Sequence, residues 1–325
     1  MAFTFGIYPG GLLGDDQGIV HPVTADAPDL INTALDELQG DADLLTVRAY
    51  RSFAPTATPR IPPTPADPHS YLRRGRMLDL VLQFREPTGS LDGWTDYVRE
   101  AVRTAGPRLA SVQICEEPNL DLPSVDGSVP NVLVALVRGV VAAKEEVASL
   151  GLGAAVGFNA VPSFDPSDTF WADLGALGDD RFRQSLDYVG VDFFPDVFRP
   201  VAADRLAETV AAVLGMFRTG FLPQAGIPGT VPLRVCENGW PTGPDRTERR
   251  QAETLETVIR AVAACENELL VDGYSLFALR DADSNGDSLF GHFGLLRDDY
   301  TPKEGFGTYR RLIKELGSGQ VVAER

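Results

Sequence analysis

Residues 109–119 of the chain read LASVQICEEPN, a mostly apolar run that ends in two adjacent carboxylates, a proline and an asparagine. The composition of the run is typical of a parallel strand that is buried on both faces. Neighbouring carboxylates repel each other. Placing Glu116 and Glu117 at the end of a buried strand is therefore energetically unfavourable unless their surroundings use the charge. The stretch therefore indicates both a type of sheet and a candidate site.

Further apolar runs of this kind alternate with amphipathic segments along the chain. The other strand candidates are FTFGIY, LLTVRAY, LDLVLQF, GAAVGF, DYVGVDFF, PLRVCE and DGYSLFAL. Strand–helix alternation produces right-handed crossovers and a parallel sheet. Eight such units in 325 residues favour a (β/α)8 barrel over a doubly wound sheet. Because no linker divides the chain, we expect residues 1–325 to form a single barrel domain.

Composition and charge narrow the choice of partner and compartment. The net charge of −17 argues against nucleic acid or an anionic membrane as the main partner, because both require basic patches. No apolar run approaches the roughly 20 residues of a membrane helix, and residues 1–11 lack the features of a secretory signal. The chain has three cysteines, an odd count, so we do not expect a disulfide framework. We therefore expect a cytoplasmic location. CxxC, HExxH, Walker and GxGxxG motifs are missing from the sequence, so no cofactor is expected. The sequence does not indicate the oligomeric state.

Carboxylates at strand ends point to acid–base chemistry. In a (β/α)8 barrel, the catalytic groups lie at the C-terminal ends of the strands. Glu116 and Glu117 end the fourth candidate strand, and Glu237 ends the seventh, within VPLRVCENGWPTG, residues 231–243. Cleavage of a glycosidic bond requires such a pair, one carboxyl protonated to help the leaving oxygen and one ionised to attack the sugar carbon.

Four segments carry a resemblance to a known superfamily. CEEPN at residues 115–119 is similar to the Asn-Glu-Pro signature that follows strand 4 in clan A of the glycoside hydrolases, which are (β/α)8 enzymes. CENGWPT at residues 236–242 is similar to the segment with the glutamate that follows strand 7. Residues 187–195 and 274–306 resemble strand 6 and the strand 8 region more loosely. The resemblance thus spans most of the chain.

The resemblance implies a retaining glycosidase that acts on a β-linked carbohydrate or other glycoside. By analogy, Glu117 is the acid/base, Glu237 is the nucleophile, and Asn119 lies among the substrate-binding residues. Arg48 matches an arginine on strand 2 that supports the nucleophile in many members, although it could equally pair with Glu116. Glu116 stands where the clan usually has an asparagine that binds the sugar 2-hydroxyl, and a carboxylate there would raise the pKa of its carboxylate neighbours.

Two other positions depart from the pattern of the clan. Strand 6 often supplies a tyrosine to the nucleophile, whereas this chain has Phe194 in that region, which leaves Asp192 or another group to orient Glu237. Strand 8 usually carries a tryptophan beneath the sugar. In this chain Phe277 or Trp240 would have to supply that platform, and either could instead be a core residue.

Strand alternation makes a prediction about two cysteines. If Glu117 points toward the barrel axis, Cys115 does so as well, because side chains alternate with a period of two. Cys236 immediately precedes Glu237 and should then face the helical layer. We therefore expect no disulfide between Cys115 and Cys236.

Two loops allow more than one interpretation. The proline-dense segment 55–68 follows the second strand and is either a stiff surface connection or a wall of a catalytic cleft. Residues 281–287, DADSNGD, resemble the first half of a calcium loop, but His292 stands where the bidentate glutamate is required. A polar loop without metal is the favoured interpretation there.

Two alternatives to a glycosidase remain open. One is a barrel without catalytic activity that binds sugar or another protein. The other is a metal-dependent enzyme that uses Glu116, Glu117, Asp192 and Glu237 as oxygen ligands for magnesium or calcium. If Arg48 and a second donor both reach Glu237, the glycosidase is favoured over the binding protein.

Overall fold

The computed structural model describes residues 3–317, and within them eight parallel strands form a closed barrel. The strands are β1 Thr4–Ile7, β2 Thr46–Phe53, β3 Met77–Phe84, β4 Leu109–Ile114, β5 Ala155–Ala160, β6 Tyr188–Asp192, β7 Leu233–Asn238 and β8 Val271–Leu276. Each strand pairs with its neighbours in chain order, and β1 closes the barrel by pairing with both β2 and β8. The predicted (β/α)8 architecture is confirmed.

Helices surround the barrel and cover its outer face. They are α1 Pro28–Gln39, α2 Trp94–Ala105, α3 Val132–Ser149, α4 Phe170–Leu177, α5 Asp180–Gln184, α6 Leu206–Met216, α7 Leu222–Gln224, α8 Glu248–Ala264 and α9 Glu304–Leu316. A π-helical turn, Phe217–Phe221, joins α6 to α7. Among the described helices, none has the length and apolar composition needed to cross a bilayer.

Helix α8 illustrates how the sequence produces the outer layer. Thr247 precedes the helix and accepts a hydrogen bond from the N–H of Arg250, which satisfies one of the free donors of the first turn. Leu255, Val258 and Ile259 recur at helical spacing and are buried. Each such side chain stabilises the fold by about 1.5–3 kcal/mol relative to exposure.

The connection between β2 and β3 departs from the ideal barrel, since in the described structure it contains a short 3₁₀ turn, Pro68–Tyr71, in place of an α-helix. Its proline-dense part folds back on β2, where Tyr50 and Thr64 exchange backbone hydrogen bonds of 2.7 and 3.0 Å. The Thr64 hydroxyl also shares a hydrogen bond of 2.5 Å with the hydroxyl of Tyr8. This segment therefore lies against the barrel mouth, as the cleft-wall interpretation expects.

A register shift places Glu237 inside the barrel. The pairing of β6 with β7 shifts by one residue immediately before Asp192 and Glu237 become partners. An extra residue of this kind forms a β-bulge, which interrupts the alternation of side chains. Cys236 consequently lines an interior cavity together with Asp79 and Ser111, so the prediction that it faces the helical layer was wrong. All three cysteines of the chain are buried and free, as expected.

The end of β4 also breaks the alternation. Cys115 and Glu117 have φ angles of +63° and +43°, in the left-handed region that non-glycine residues seldom adopt. Asp126 is fully buried on the following loop and accepts hydrogen bonds from the N–H groups of Glu116 and Phe84, at 2.9 and 2.7 Å. These contacts fix the turn and direct Glu116 into the barrel.

Candidate active site

Arg48 is the cation at the centre of the candidate site. It is 1% exposed, and its guanidinium lies 2.7 Å from Asp79 and 3.4 Å from both Glu116 Oε2 and Glu237 Oε1. Removing one partner from a buried ion pair leaves an uncompensated charge, which is strongly destabilising. Arg48 thus has both of its alternative predicted partners, Glu116 and Glu237, within contact distance.

Tyr50 supplies the hydroxyl that strand 6 lacks. It lies two residues after Arg48 on β2, on the same side of the strand. Its hydroxyl accepts a hydrogen bond of 2.8 Å from Arg48 Nε and donates to Glu237 Oε1. Two donors from β2 therefore hold one oxygen of Glu237.

Amide side chains hold Glu116. Gln113 Nε2 donates to Glu116 Oε2 at 2.6 Å, and Asn159 Nδ2 donates to Oε1 at 3.3 Å. Gln113 also accepts a hydrogen bond of 2.8 Å from Arg48 Nη2, which joins it to the same network. Glu116 is thus buried inside the barrel and points toward Glu237, not outward.

Asn159, at the end of β5, ties three acidic residues together. Besides Glu116, its Nδ2 donates to Asp192 Oδ2, while its Oδ1 accepts a hydrogen bond of 2.8 Å from the N–H of Glu117. Each N–H of the amide therefore has one carboxylate partner. The neutral amide orders the acidic groups without adding a cation.

Glu116, Asp192 and Glu237 form what we call the carboxylate cluster. One oxygen of each lies within 4.8 Å of one oxygen of both others, and all three residues are buried. Burial, reinforced by the charge of Glu237, raises the pKa of Glu116 and of Asp192 well above the usual range. The cluster therefore favours protonation of at least one of its members or the approach of a cation.

Glu117 differs from the cluster in its surroundings. It is partly exposed, and among residues 3–317 its carboxyl group has no hydrogen-bond or ion-pair partner. Burial, followed by the charges of Glu116 and Glu237, raises the pKa of Glu117 well above the usual range. The raised pKa favours the protonated form of this carboxyl group, which is the form that a proton donor requires.

Two other candidate binding residues make contacts within the protein. The amide of Asn119 donates to the carbonyl of Val161 at 2.9 Å and accepts from its N–H at 3.0 Å. The indole N–H of Trp240 donates to the carbonyl of Asp196 at 3.2 Å, and the guanidinium of Arg246 lies 4.7 Å from its ring. The contacts of Asn119 join the loops after β4 and β5, and those of Trp240 are typical of a packing residue.

Phe277 lies on an aromatic wall beside the site. It is partly exposed after β8 and stacks on Tyr8 with ring centroids 5.5 Å apart. Tyr8 contacts Tyr50 edge-on at 5.2 Å, and Phe194 lies 6.4 Å from Phe277. An exposed aromatic face in this position is able to pack against a sugar ring.

The loop 281–287 uses its oxygens internally. Asp281 Oδ1 accepts hydrogen bonds from Lys303 Nζ at 2.7 Å and from the N–H of Gly294 at 2.8 Å. Asp283 Oδ1 accepts from the N–H groups of Asn285 and Gly286, each at 2.9 Å. These contacts favour the polar-loop interpretation over a calcium site.

Sequence reasoning missed several polar residues of the network. They lie inside the strands: Tyr50, Asp79, Gln113 and Asn159. The first three were interpreted only as parts of apolar runs, and Asn159 directly follows the run GAAVGF. A signal was available, because Arg48 and Tyr50 on β2, like Ser111 and Gln113 on β4, are spaced by two residues. Polar residues at this spacing in a buried strand indicate a polar barrel interior.

Neither a protein-family model nor a curated protein matches the sequence. Solved glycosidases nevertheless share its fold. The family 1 β-glucosidase from Thermotoga maritima matches with a TM-score of 0.61 at 12% identity over 98% of both chains. CJP38, a β-1,3-glucanase and allergen of Cryptomeria japonica pollen, matches with a TM-score of 0.60 at 15% identity, over 93% of this chain and 97% of its own.

A third similar structure belongs to a larger protein. β-Glucuronidase from Bacteroides uniformis matches with a TM-score of 0.58 at 14% identity, over 92% of this chain but only 36% of its own length. Together these likenesses confirm the expected fold, a (β/α)8 barrel. At such low identities they bear on the fold alone.

Proposed function

We propose that the protein is a glycoside hydrolase that cleaves a β-linked glycoside with retention of configuration. Glu237 is the nucleophile and Glu117 is the acid/base. The observation that carries the proposal is the support of Glu237, whose Oε1 is held by Tyr50 and Arg48. Oε2 has no hydrogen-bond partner in the described structure and is available to attack.

In the first step, Glu237 Oε2 forms a bond to the anomeric carbon as the bond from that carbon to the leaving oxygen breaks. Glu117 transfers its proton to the leaving oxygen. In the second step Glu117, now ionised, takes a proton from water, whose oxygen attacks the anomeric carbon and releases Glu237. Two inversions at one carbon retain its configuration.

The electrostatics of the site match these roles. The positive charge of Arg48 lies 3.4 Å from Glu237 Oε1, where it can stabilise the negative charge that returns to Glu237 when the intermediate is hydrolysed. The raised pKa of Glu117 favours the protonated form that a general acid requires. The partly exposed ring of Phe277, backed by the buried ring of Tyr8, offers a surface for the sugar.

The similar structures support the class of substrate. The Thermotoga maritima protein is a β-glucosidase and the Cryptomeria japonica protein is a β-1,3-glucanase; by analogy, the substrate of this chain is a β-glycoside. The free, buried cysteines support a cytoplasmic location.

The carboxylate cluster is the observation that favours the metal-dependent alternative. Three oxygens within 4.8 Å of one another would suit magnesium or calcium. However, the guanidinium of Arg48 lies 3.4 Å from Glu116 and from Glu237, and it would repel a divalent cation placed between them. Activity that is unchanged by EDTA would exclude the alternative.

Replacement of each proposed catalytic residue tests the proposal, with hydrolysis of a panel of aryl β-glycosides as the measurement. Glu237→Gln should lower kcat by at least about 1,000-fold for every substrate, because it removes the nucleophile. Glu117→Gln should lower kcat by about 100-fold or more for poor leaving groups and much less for 2,4-dinitrophenolate, which needs no proton.

Asp121→Asn is the matched control, because Asp121 is an exposed carboxylate shortly after β4. It should keep the activity of the wild type. If the wild type cleaves a glycoside and Glu237→Gln cleaves it equally well, the nucleophile is misassigned.

A further inference from the structure

The carboxylate cluster has more negative charge than the mechanism requires. A retaining glycosidase needs one acid/base and one nucleophile, whereas Glu116 and Asp192 add two buried carboxyl groups beside Glu237. Arg48 is the cation in contact with the cluster, and it is shared with Asp79. A buried site of this composition attracts a second positive charge.

Asp192 provides a separate indication that a ligand belongs in the cluster. It is fully buried, and its Oδ1 has no hydrogen-bond partner among the described residues. Buried polar atoms almost always have a partner, so an orphan oxygen calls for an explanation. A donor on the substrate would satisfy it.

The spacing of the cluster fits an ammonium group. An ammonium has three N–H donors and no acceptor, and the cluster offers one oxygen from each of three carboxylates. Acceptors placed about 2.8 Å from one tetrahedral nitrogen lie about 4.6 Å apart, within the observed limit of 4.8 Å. Glu116 can accept this bond beside those from Gln113 and Asn159, because each carboxylate oxygen has two lone pairs.

A substrate amine suits the site better than a metal ion. Arg48 lies 3.4 Å from two of the three carboxylates, so a single positive charge meets half the repulsion of a double one. Magnesium and calcium also take six or more oxygen ligands, so either ion would need several water molecules beside the three carboxylates of this buried cluster. The observations therefore favour a monovalent, three-donor cation.

The position of the cluster locates the amine on the sugar. Glu237 must reach the anomeric carbon, and Glu116 and Asp192 lie within 4.8 Å of it. The group that they bind is therefore on an atom next to the anomeric carbon. Since neither the ring oxygen nor the leaving oxygen can carry an amine, that atom is C2.

We propose that the protein hydrolyses β-glycosides of 2-amino-2-deoxy sugars, whose protonated amine binds among Glu116, Asp192 and Glu237. The inference rests on the proposed function for its catalytic part, whereas binding of the amine depends only on the cluster.

Paired aryl glycosides test the inference. For the wild type, kcat/KM should be at least 10-fold higher for 4-nitrophenyl 2-amino-2-deoxy-β-glycosides than for the 2-hydroxy or N-acetyl compounds, in the gluco or the galacto series. Glu116→Gln keeps the shape of the side chain without its charge and should abolish or reverse this preference. Asp121→Asn should keep it.

Calorimetry with free sugars provides a readout that does not need catalysis. The wild type should bind glucosamine or galactosamine at least 10-fold more tightly than the corresponding neutral sugar, and both Glu116→Gln and Asp192→Asn should lose the difference. If amino sugars bind in this way but no glycoside is cleaved, the binding site stands and the proposed glycosidase function fails.

The opposite failure is also recognisable. If the wild type cleaves 2-hydroxy glycosides as well as or better than the amino compounds, the glycosidase stands and the inference is overturned. The inference is equally overturned if magnesium or calcium chloride raises the Tm of the wild type but not of Glu116→Gln, while amino sugars have no effect.

Discussion

Two arginines inside the same barrel have contrasting partners. Arg234 on β7 makes a bidentate pair with Asp272 on β8, with N–O distances of 2.9 and 2.7 Å, so each charge is compensated. Arg48 on β2 contacts three carboxylates, and a fourth, Asp192, belongs to the same cluster. The charges of Arg234 and Asp272 neutralise each other and need no further partner. An excess of carboxylates around one buried cation, as at Arg48, is typical of a functional site.

Loss of the positive charge of Arg48 should have the largest effect on activity. Arg48→Gln removes the positive charge that lies 3.4 Å from Glu237 Oε1, and kcat/KM for aryl glycosides should fall by about 1,000-fold. Arg48→Lys is the control that keeps the charge but not the fork of the guanidinium. It should retain more activity than Arg48→Gln, and equal activity of the two variants would mean that charge is not what Arg48 supplies.

Loss of the Tyr50 hydroxyl should have the next largest effect. Tyr50→Phe removes the donor to Glu237 Oε1 and keeps the ring packed on Tyr8, so kcat should fall by about 100-fold with little change in Tm. Tyr97→Phe, at a ring near Arg51 and Trp94, is the matched control and should keep its kcat. A normal kcat for Tyr50→Phe would show that Glu237 does not depend on this hydroxyl.

The balanced pair should affect stability instead of activity. Arg234→Gln leaves Asp272 buried without its cation, and the free energy of unfolding in urea should fall by about 3 kcal/mol. kcat/KM should stay within about threefold of the wild type, because Arg234 does not contact the carboxylate cluster. A loss of activity as large as that of Arg48→Gln would erase the distinction between the two arginines.

Removing an excess carboxylate should stabilise the protein. Burial and the charge of Glu237 raise the pKa of Asp192, so the stability that its proton provides is present below the pKa of the unfolded chain and is lost as pH rises through the raised value. Asp192→Asn should therefore increase the free energy of unfolding by about 1–2 kcal/mol near pH 8. Near pH 4 the gain should vanish, and a gain that is the same at both pH values would rule out this explanation.

The smallest expected effect is a change in the pH dependence of kcat/KM in Glu116→Gln. Besides burial, the charge of Glu116 raises the pKa of Glu117. Without that charge the pKa of Glu117 falls, so in Glu116→Gln the alkaline limb of kcat/KM should move to lower pH. An unchanged limb would mean that Glu117 is not the group that titrates there.

The fold and the positions of Glu117 and Glu237 could be predicted from sequence because both depend on short-range patterns. Apolar runs mark the buried strands, and charged residues mark the points where strands leave the core. The pairing of Glu237 with Tyr50 could not be predicted in this way. It depends on how two distant strands face each other across the barrel.

Local backbone irregularities explain the remaining differences. The period-two rule assigned Cys236 to the outer face, but a bulge in β7 brings both Cys236 and Glu237 inside. At the end of β4, Cys115 and Glu117 have left-handed backbone conformations. As a result Glu116 points into the barrel, and Glu117 lies at its mouth. Such features arise where tertiary contacts override the local pattern, and they often accompany functional sites.

The most direct test of the account is to trap the glycosyl-enzyme. The protein is mixed with a 5-fluoro-β-glycosyl fluoride of the sugar that it hydrolyses, a reagent that keeps the C2 substituent, and is then quenched in acid for mass spectrometry. We predict a mass increase of one 5-fluoroglycosyl unit, carried by the peptide that contains Glu237 and missing in Glu237→Gln. Label on another residue, or hydrolysis of the parent glycoside with inversion of the anomeric centre, would contradict the account.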